Sequence, residues 1–420
     1  MTAPSPILPD HAARGVHAAP YGASESSPGV EIPLCFGPIE LEYAALRRTS
    51  ILIDQPQRGV IEVTGPDRLS YLNRMITQEL KSLAPGSVRR SFWLNRKGRI
   101  DADLHVWVFE DRILLDADIF AVGRAVDGLS GYVVADDVGI RDITAAVHRL
   151  ALHGPSAIAA LASIIDDATH RACVESLTPD MCTLVNIGGV PVVVAREDSA
   201  GEIGLEMMAP VDAARSLYNA ILDRGGWLAA EAASANPQEP PAHGHTPGAE
   251  RAAARVRPGG WHAYNIARIE AGTPLYNLDF GPDSLPAETG VFEDRVSLTK
   301  GCYLGQEIVA RMHARGHPKQ KLMGIKLARD IPLPAPGANP STMPRQPETG
   351  AHVRQAENPD SSPAIGAITS SALSPMLGQT PVCFAMIKHD LAVAGTQVVV
   401  QAEGKPVTGE IQPSLRFYAR

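Results

Sequence analysis

Apolar and polar positions along this chain fall into two rhythms, one of period two and one near 3.6, and their order predicts an α+β protein. Ile39–Arg48 predicts an opening helix. Residues 60–64 read as a strand, β-branched residues first, closed by the turn Gly65-Pro66-Asp67. Residues 67–77 then carry Leu69, Leu72 and Ile76 along one side of a helix. Strands over 91–94 and 100–109 flank a turn at Asn95-Arg96-Lys97-Gly98, which sets Asp101 and Asp103 on one face of the second strand. A strand over 113–117 and a helix over 119–132 follow, and residues 133–142 close the first unit. From Ala146 the pattern restarts, with a strand over 148–154, a helix over 156–165 and a hairpin of 181–187 with 190–196 around Gly188-Gly189. The stretch 201–208 and a helix over Val211–Arg224 complete a βαβ-type set that predicts a ferredoxin-like second domain.

Elsewhere the rhythm weakens. Residues 1–38 are rich in Ala, Pro, Ser and His and read as a flexible tail, without the basic and apolar regions of a secretory signal. Residues 232–260 turn to Ala, Pro, Gly, His and Arg and read as a flexible surface insertion. A helix over 261–272 and an irregular Gly/Pro-rich approach over 273–298 come next. From residue 320 short strands over 364–371, 382–387, 397–402 and near 409–411, interrupted by a low-complexity loop over 332–363, predict a small C-terminal β-barrel. The domain reading is a tail over 1–38, then 39–145, 146–231, the insertion 232–260, a return of the first domain over 261–319, and the barrel over 320–420.

Composition narrows the class. The 420 residues suit about three domains. Hydrophobic residues make up 45%, enough for ordinary cores, and the net charge of −8 gives no general attraction to nucleic acid or anionic membrane. Positive charge is nonetheless dense over 295–321, the one region that could contact RNA or a partner protein. Five scattered cysteines, with no Cys-x-x-Cys pair, argue against a disulfide scaffold and for a reducing compartment. No run is long and apolar enough to span a bilayer, so a soluble, cytoplasmic protein is expected.

Candidate chemistry concentrates at Lys300-Gly301-Cys302-Tyr303-Leu304-Gly305-Gln306-Glu307. Gly301 and Gly305 allow positive φ or close approach to a ligand. Lys300, Arg311 and Arg315 would favour a thiolate at Cys302 if near it in space; otherwise Cys302 is a small buried hydrophobe ahead of an amphipathic helix with Ile308, Val309 and Met312 inward. Asp101 is either a strand-end residue or a carboxylate held to accept from a ring nitrogen or amine, and Asp103 could take its place. Glu206, in Gly201-Glu202-Ile203-Gly204-Leu205-Glu206, is either a solvent-facing glutamate or a carboxylate able to take two hydrogen bonds from adjacent N–H donors. His313 with His317, and His243 with His245, lack the ligand set of a zinc site, and the cysteines lack cluster spacing, so no metal site is expected. Neither a Walker A nor a Rossmann fingerprint is present.

The Lys300–Glu307 octapeptide resembles the Lys-Gly-Cys-Tyr-x-Gly-Gln-Glu signature of the YgfZ-type folate-binding protein family, relatives of the T protein (aminomethyltransferase) of the glycine cleavage system. Asn95–Asp101 resembles the T-protein segment whose aspartate lies beside the reactive nitrogens of tetrahydrofolate, and Gly201–Glu206 the stretch whose last glutamate grips the pterin. Arg268-Ile269-Glu270-Ala271-Gly272-Thr273-Pro274-Leu275-Tyr276, Val63–Asp67, Gly366–Ser370 and Ser374-Pro375 are similar to further superfamily motifs. The resemblance implies a three-domain ring of the aminomethyltransferase folate-binding type, with tetrahydrofolate or a related folate as cofactor. It implies Cys302 and Asp101 as chemical residues and Asp101, Glu206, Tyr264, Lys300 and Gln306 around the folate, with Lys300 tuning the thiol and Gln306 and Glu307 positioning it. T proteins carry an arginine where this chain has Tyr264, which argues against full aminomethyl transfer. The implied role is iron–sulfur cluster assembly or repair, with scaffold or client proteins as partners; the alternative is a tetrahydrofolate-dependent aminomethyltransferase.

Overall fold

In the computed structural model, residues 4–24, 27–228, 255–329, 344–357, 359 and 363–418 are described. In chain order the elements begin with α1 (Leu8–Ala13), β1 (His17–Tyr21), β2 (Val30–Cys35), α2 (Ile39–Arg48), β3 (Ile51–Asp54), β4 (Arg58–Thr64) and α3 (Arg68–Met75). They continue through β5 (Val88–Leu94), β6 (Ile100–Val108), β7 (Arg112–Asp118), α4 (Ile119–Ser130), β8 (Gly139–Asp142) and β9 (Val147–His153). Next come α5 (Ala157–Ala162), α6 (Ala168–Glu175), β10 (Cys182–Ile187), β11 (Val190–Arg196), β12 (Gly204–Pro210), α7 (Val211–Arg224) and β13 (Arg257–Gly259). The chain ends with α8 (Trp261–Ala271), α9 (Phe292–Arg295), α10 (Gln306–Arg315), β14 (Gln320–Leu327), β15 (His352–Gln355), β16 (Gly366–Ser374), β17 (Thr380–Lys388), β18 (Gln397–Ala402) and β19 (Lys405–Ile411).

The chain divides into two compact units. The first comprises Met1–Arg68, Leu83–Arg89 and His105–Tyr264; the second comprises Leu69–Ser82, Arg90–Leu104 and Asn265–Arg420. In the first unit, a sheet of order β10-β11-β12-β9-β3-β13 forms with antiparallel neighbours throughout except the parallel pair β13–β3. The β10–β11 turn needs positive φ at both Gly188 and Gly189, and the Asn186 carboxamide accepts from the Gly189 N–H at 2.8 Å, as the sequence predicts for a tight hairpin. Helix α7 buries Ala214, Leu217, Tyr218, Ile221 and Leu222, a helical spacing that seals one face of this sheet with Leu150, Leu152, Val192 and Val194. A second antiparallel ladder pairs β4 with β7 and β8, and β6 with β7 from His105↔Asp116 onward.

In the second unit, strands β14-β17-β16-β15-β18-β19 close into a barrel, which leaves no open edge. Its interior holds Ile325, Val353, Ile387, Val398 and Val400, all fully buried. The expected α+β class and C-terminal barrel are therefore present.

Three stretches differ from the sequence reading. Residues 1–38, expected as a flexible tail, fold into α1 and the β1–β2 hairpin, and Ile7 enters the first unit's core at 0% exposure. Of the insertion 232–260, residues 257–259 form β13 while 232–254, with His243 and His245, lie outside the described residues. Of the loop 332–363, His352–Gln355 is a barrel strand with Val353 buried, and 332–343 lie outside the described residues. In each case a few buried aliphatic residues, Ile7, Val30 and Ile32 in the first, Val256 in the second and Val353 in the third, anchor elements too short to show a long periodic pattern. Among the described residues no helix is long and apolar enough to cross a membrane.

Candidate functional site

The first unit gathers charge around β12. Glu206 pairs with Ala151 of β9 and Ala195 of β11. Side chains alternate along a strand, so Arg149 and His153, two residues either way from Ala151, are the diagonal neighbours of Glu206 on the same face. The register delivers the contacts: Arg149 Nη2 donates to Glu206 Oε2 at 3.1 Å, and His153 Nε2 stands 3.5 Å from Glu206 Oε1. Neither ring nitrogen of His153 has a hydrogen-bond partner among the described residues. Arg149 also donates from Nε to Asp116 at 2.9 Å and from Nη1 to the Met207 carbonyl at 2.6 Å, with its guanidinium carbon 4.7 Å from the centre of the Trp107 ring. Arg58 Nη2 takes the other Asp116 oxygen at 2.6 Å.

Burial works to raise the Asp116 carboxyl, but Arg149 and Arg58 outweigh it and hold the group below the usual carboxylate range. Conversely, burial acts to lower the Arg58 guanidinium, and the Asp116 carboxylate pushes it above its ordinary value. Beside this chain, Trp107 Nε1 donates to Glu197 Oε1 at 3.3 Å and His105 Nδ1 lies 2.7 Å from Glu197 Oε2. Tyr264 is buried, bonds Ser199 through its hydroxyl at 3.2 Å and places its ring 5.3 Å from that of His153. Glu206 and Tyr264, both named by the sequence, are thus brought to the same histidine. Glu206 is buried, which corrects the solvent-facing alternative. Sequence reading missed Arg149, Asp116, His153 and Glu197. Their signal was polar residues inside otherwise apolar strands, as in His148-Arg149-Leu150-Ala151-Leu152-His153.

The second unit holds Asp101, Lys300, Cys302 and Gln306. Asp103 is buried and paired with the equally buried Arg295, whose Nε donates at 3.0 Å. Asp101 is half-buried, accepts from Asn95 Nδ2 at 3.1 Å, and its backbone carbonyl accepts from the Tyr276 hydroxyl at 3.0 Å. Cys302 is exposed, which corrects the buried-hydrophobe alternative. Its loop is tied on both sides: Ser297 N–H donates to the Thr77 carbonyl at 3.0 Å and Leu304 N–H to the Arg74 carbonyl at 3.2 Å.

Between those ties Lys300 turns inward. Its Nζ donates to the carbonyls of Asn73, Ile76 and Gln78, each at 2.7 Å, and sits 5.1 Å from the centre of the Tyr303 ring. These carbonyls lie at and just beyond the C-terminal end of α3, where orphan acceptors and the negative dipole end favour a cation. Burial pushes the lysine down to about 8. The carbonyls oppose that shift, since an ammonium can serve all of them and a neutral amine only two. Gln306 accepts from the Tyr303 N–H at 3.3 Å and so closes the turn into α10. Gly305 has φ +82°, and a Cβ there would stand 2.9 Å from the Asn95 carbonyl, whereas Gly301 faces open space. Val309 is buried, Ile308 and Met312 half-buried, and Arg311 exposed, in keeping with the predicted amphipathic helix. Of the two histidines weighed as ligands, His313 stacks on Phe292 and His317 on His389.

Comparison with known proteins places the whole chain. The family model for the GCVT N-terminal domain matches residues 15–235, more than half of the chain, and that for the glycine cleavage T-protein C-terminal barrel domain matches residues 341–418. An aminomethyltransferase of Geobacillus kaustophilus is 26% identical over 418 residues, covering 99% of this chain and 98% of its own. That of Bacillus subtilis is 26% identical over 394 residues, covering 93% of this chain and 94% of its own. The crystal structure of glycine cleavage system aminomethyltransferase T from Bartonella henselae superposes with a TM-score of 0.77 at 22% identity, covering 100% of this chain and 98% of that one. That likeness shows the fold.

Proposed function

The chain belongs to the GCVT family, and from that premise we propose that it binds tetrahydrofolate and transfers a one-carbon unit to it, as an aminomethyltransferase-like enzyme. The observation that carries this reading is the buried Glu206 carboxylate. Arg149 holds its Oε2 at 3.1 Å, while Oε1 has, among the described residues, the His153 ring at 3.5 Å as its polar neighbour. An oriented acceptor beside two aromatic side chains, His153 and Tyr264, suits a flat ring bearing N–H donors. In that role Glu206 grips the pterin edge and Tyr264 flanks it. Asp103 is paired with Arg295, and Asp101, the residue the T-protein resemblance sets beside the reactive nitrogens, is the carboxylate assigned to handle protons.

The reaction is redox-neutral: the methylene of an aminomethyl-lipoyl carrier forms bonds to two folate nitrogens and loses its bonds to sulfur and nitrogen. The two N–H protons released go to the carrier thiolate and the departing ammonia. The iron–sulfur role implied by the Lys-Gly-Cys resemblance is thereby displaced as the leading reading, because relatives of full length carry the aminomethyltransferase name.

One observation favours that role as a second reading: Cys302 is exposed on a loop tied at both ends. The experiment that decides is incubation with aminomethyl-loaded lipoyl carrier and tetrahydrofolate. Catalytic ammonia release supports the first reading. Absence of ammonia, together with loss of iron–sulfur enzyme rescue by Cys302→Ala in a deletion strain, replaces it with the second.

A further inference from the structure

A cleft of 220 Å³ opens in the first unit between the N-terminal arm and the β4–α4 region, lined by Pro4, Pro6, Arg58, Val122, Asp142 and His148 among others. Its size matters, since a cavity of about 150 Å³ is already enough to hold benzene. Most of its wall is proline and aliphatic side chain, which suits an apolar body.

Arg58 gives it polarity. This side chain is 19% exposed; its Nε and Nη2 face Asp116, and among the described residues its Nη1 makes no hydrogen bond. Asp116 is shared with Arg149, which also pairs with Glu206. His148 is already committed to Asp54 at 2.6 Å. Asp142, the acid of the wall, is exposed and accepts from the Thr144 N–H at 2.9 Å.

We infer that this cleft is a binding site for a small carboxylate with an apolar body, its carboxylate paired with Arg58. The site is distinct from the Glu206 face and joined to it by one chain of contacts, Arg58–Asp116–Arg149–Glu206. A ligand carboxylate that draws on Arg58 loosens its hold on Asp116, so occupancy reports on the arginine that orients Glu206.

The test is calorimetric titration of the full chain with benzoate, benzamide and benzylamine. Saturable benzoate binding is expected, with benzamide weaker by about tenfold or more, the difference expected for a charge-assisted bond. Because Arg58→Gln would also orphan buried Asp116, the site variant is Gly123→Leu. An added Cβ at Gly123, which lines the cleft on α4, meets nothing within 4 Å, so the fold tolerates the side chain while the cleft fills. Loss of benzoate binding in folded Gly123→Leu supports the site. No saturable benzoate binding, binding unchanged in Gly123→Leu, or tighter binding of benzylamine each overturns it.

Discussion

Replacing Lys300 by Met separates two accounts of the lysine beside Cys302. If its charge serves the thiol, the variant keeps its fold and shifts the pH profile of Cys302 alkylation upward. If it serves the α3 end, the variant loses stability and the profile keeps its midpoint. The structure favours the latter, since all ammonium protons point to the carbonyls of Asn73, Ile76 and Gln78 at 2.7 Å. A buried acceptor left without a donor costs about 1–3 kcal/mol. Water can recover part of this at the half-exposed Gln78, and Met preserves the packing of the stem, so the net loss should be about 2–4 kcal/mol. Chemical unfolding followed at equilibrium reads that loss directly, and alkylation with iodoacetamide across pH reads the thiol. A fully stable Lys300→Met protein with a raised alkylation midpoint would refute the clamp and restore the sequence expectation that Lys300 tunes the thiol.

Other variants probe the first unit. Ile7→Ala should destabilise by about 2–4 kcal/mol in denaturant titration, because the side chain is fully buried in the main core; a change under about 0.5 kcal/mol would return the N-terminus to a tail. Asp54 is held below the carboxylate range: burial acts to raise it, and His148 and His11, which bond it at 2.6 and 2.9 Å, outweigh burial. A depressed carboxyl contributes stability above its unfolded value, near pH 3.9, and that stability is lost as pH falls below it. Thermal unfolding of wild type should therefore weaken more steeply with acid below about pH 4 than that of Asp54→Asn, and parallel slopes would contradict the linkage. Arg149→Met leaves Asp116 and Glu206 without their shared buried partner and should cost about 3–5 kcal/mol; near-neutral stability would mean the network is wet and loosely held.

Legibility in the sequence followed the physics of each element. Helix α7 and the β10–β11 hairpin were readable because a long amphipathic period and a Gly-Gly turn are local signals. The N-terminal arm was not, because its buried residues, among them Ile7, His11, Val30 and Ile32, are scattered through a Pro/Ala-rich stretch. Strands β13 and β15, of three and four residues, borrow their stability from neighbours far along the chain. The role of Lys300 was hidden for another reason: its partners are backbone carbonyls more than two hundred residues away, which carry no side-chain signature. Glu206 was found through resemblance, but its arginine was not. The clue was a charge in an apolar strand, a position that buried proteins fill only when a partner exists.

The account stands on Glu206 as the acceptor for a folate ring, so the most direct measurement is a fluorescence titration of wild type and Glu206→Gln with tetrahydrofolate. Wild type should bind saturably, and the variant about 10- to 100-fold more weakly, the loss of one charge-assisted pairing. Equal affinity in a folded Glu206→Gln protein, or no saturable binding by wild type, would contradict it.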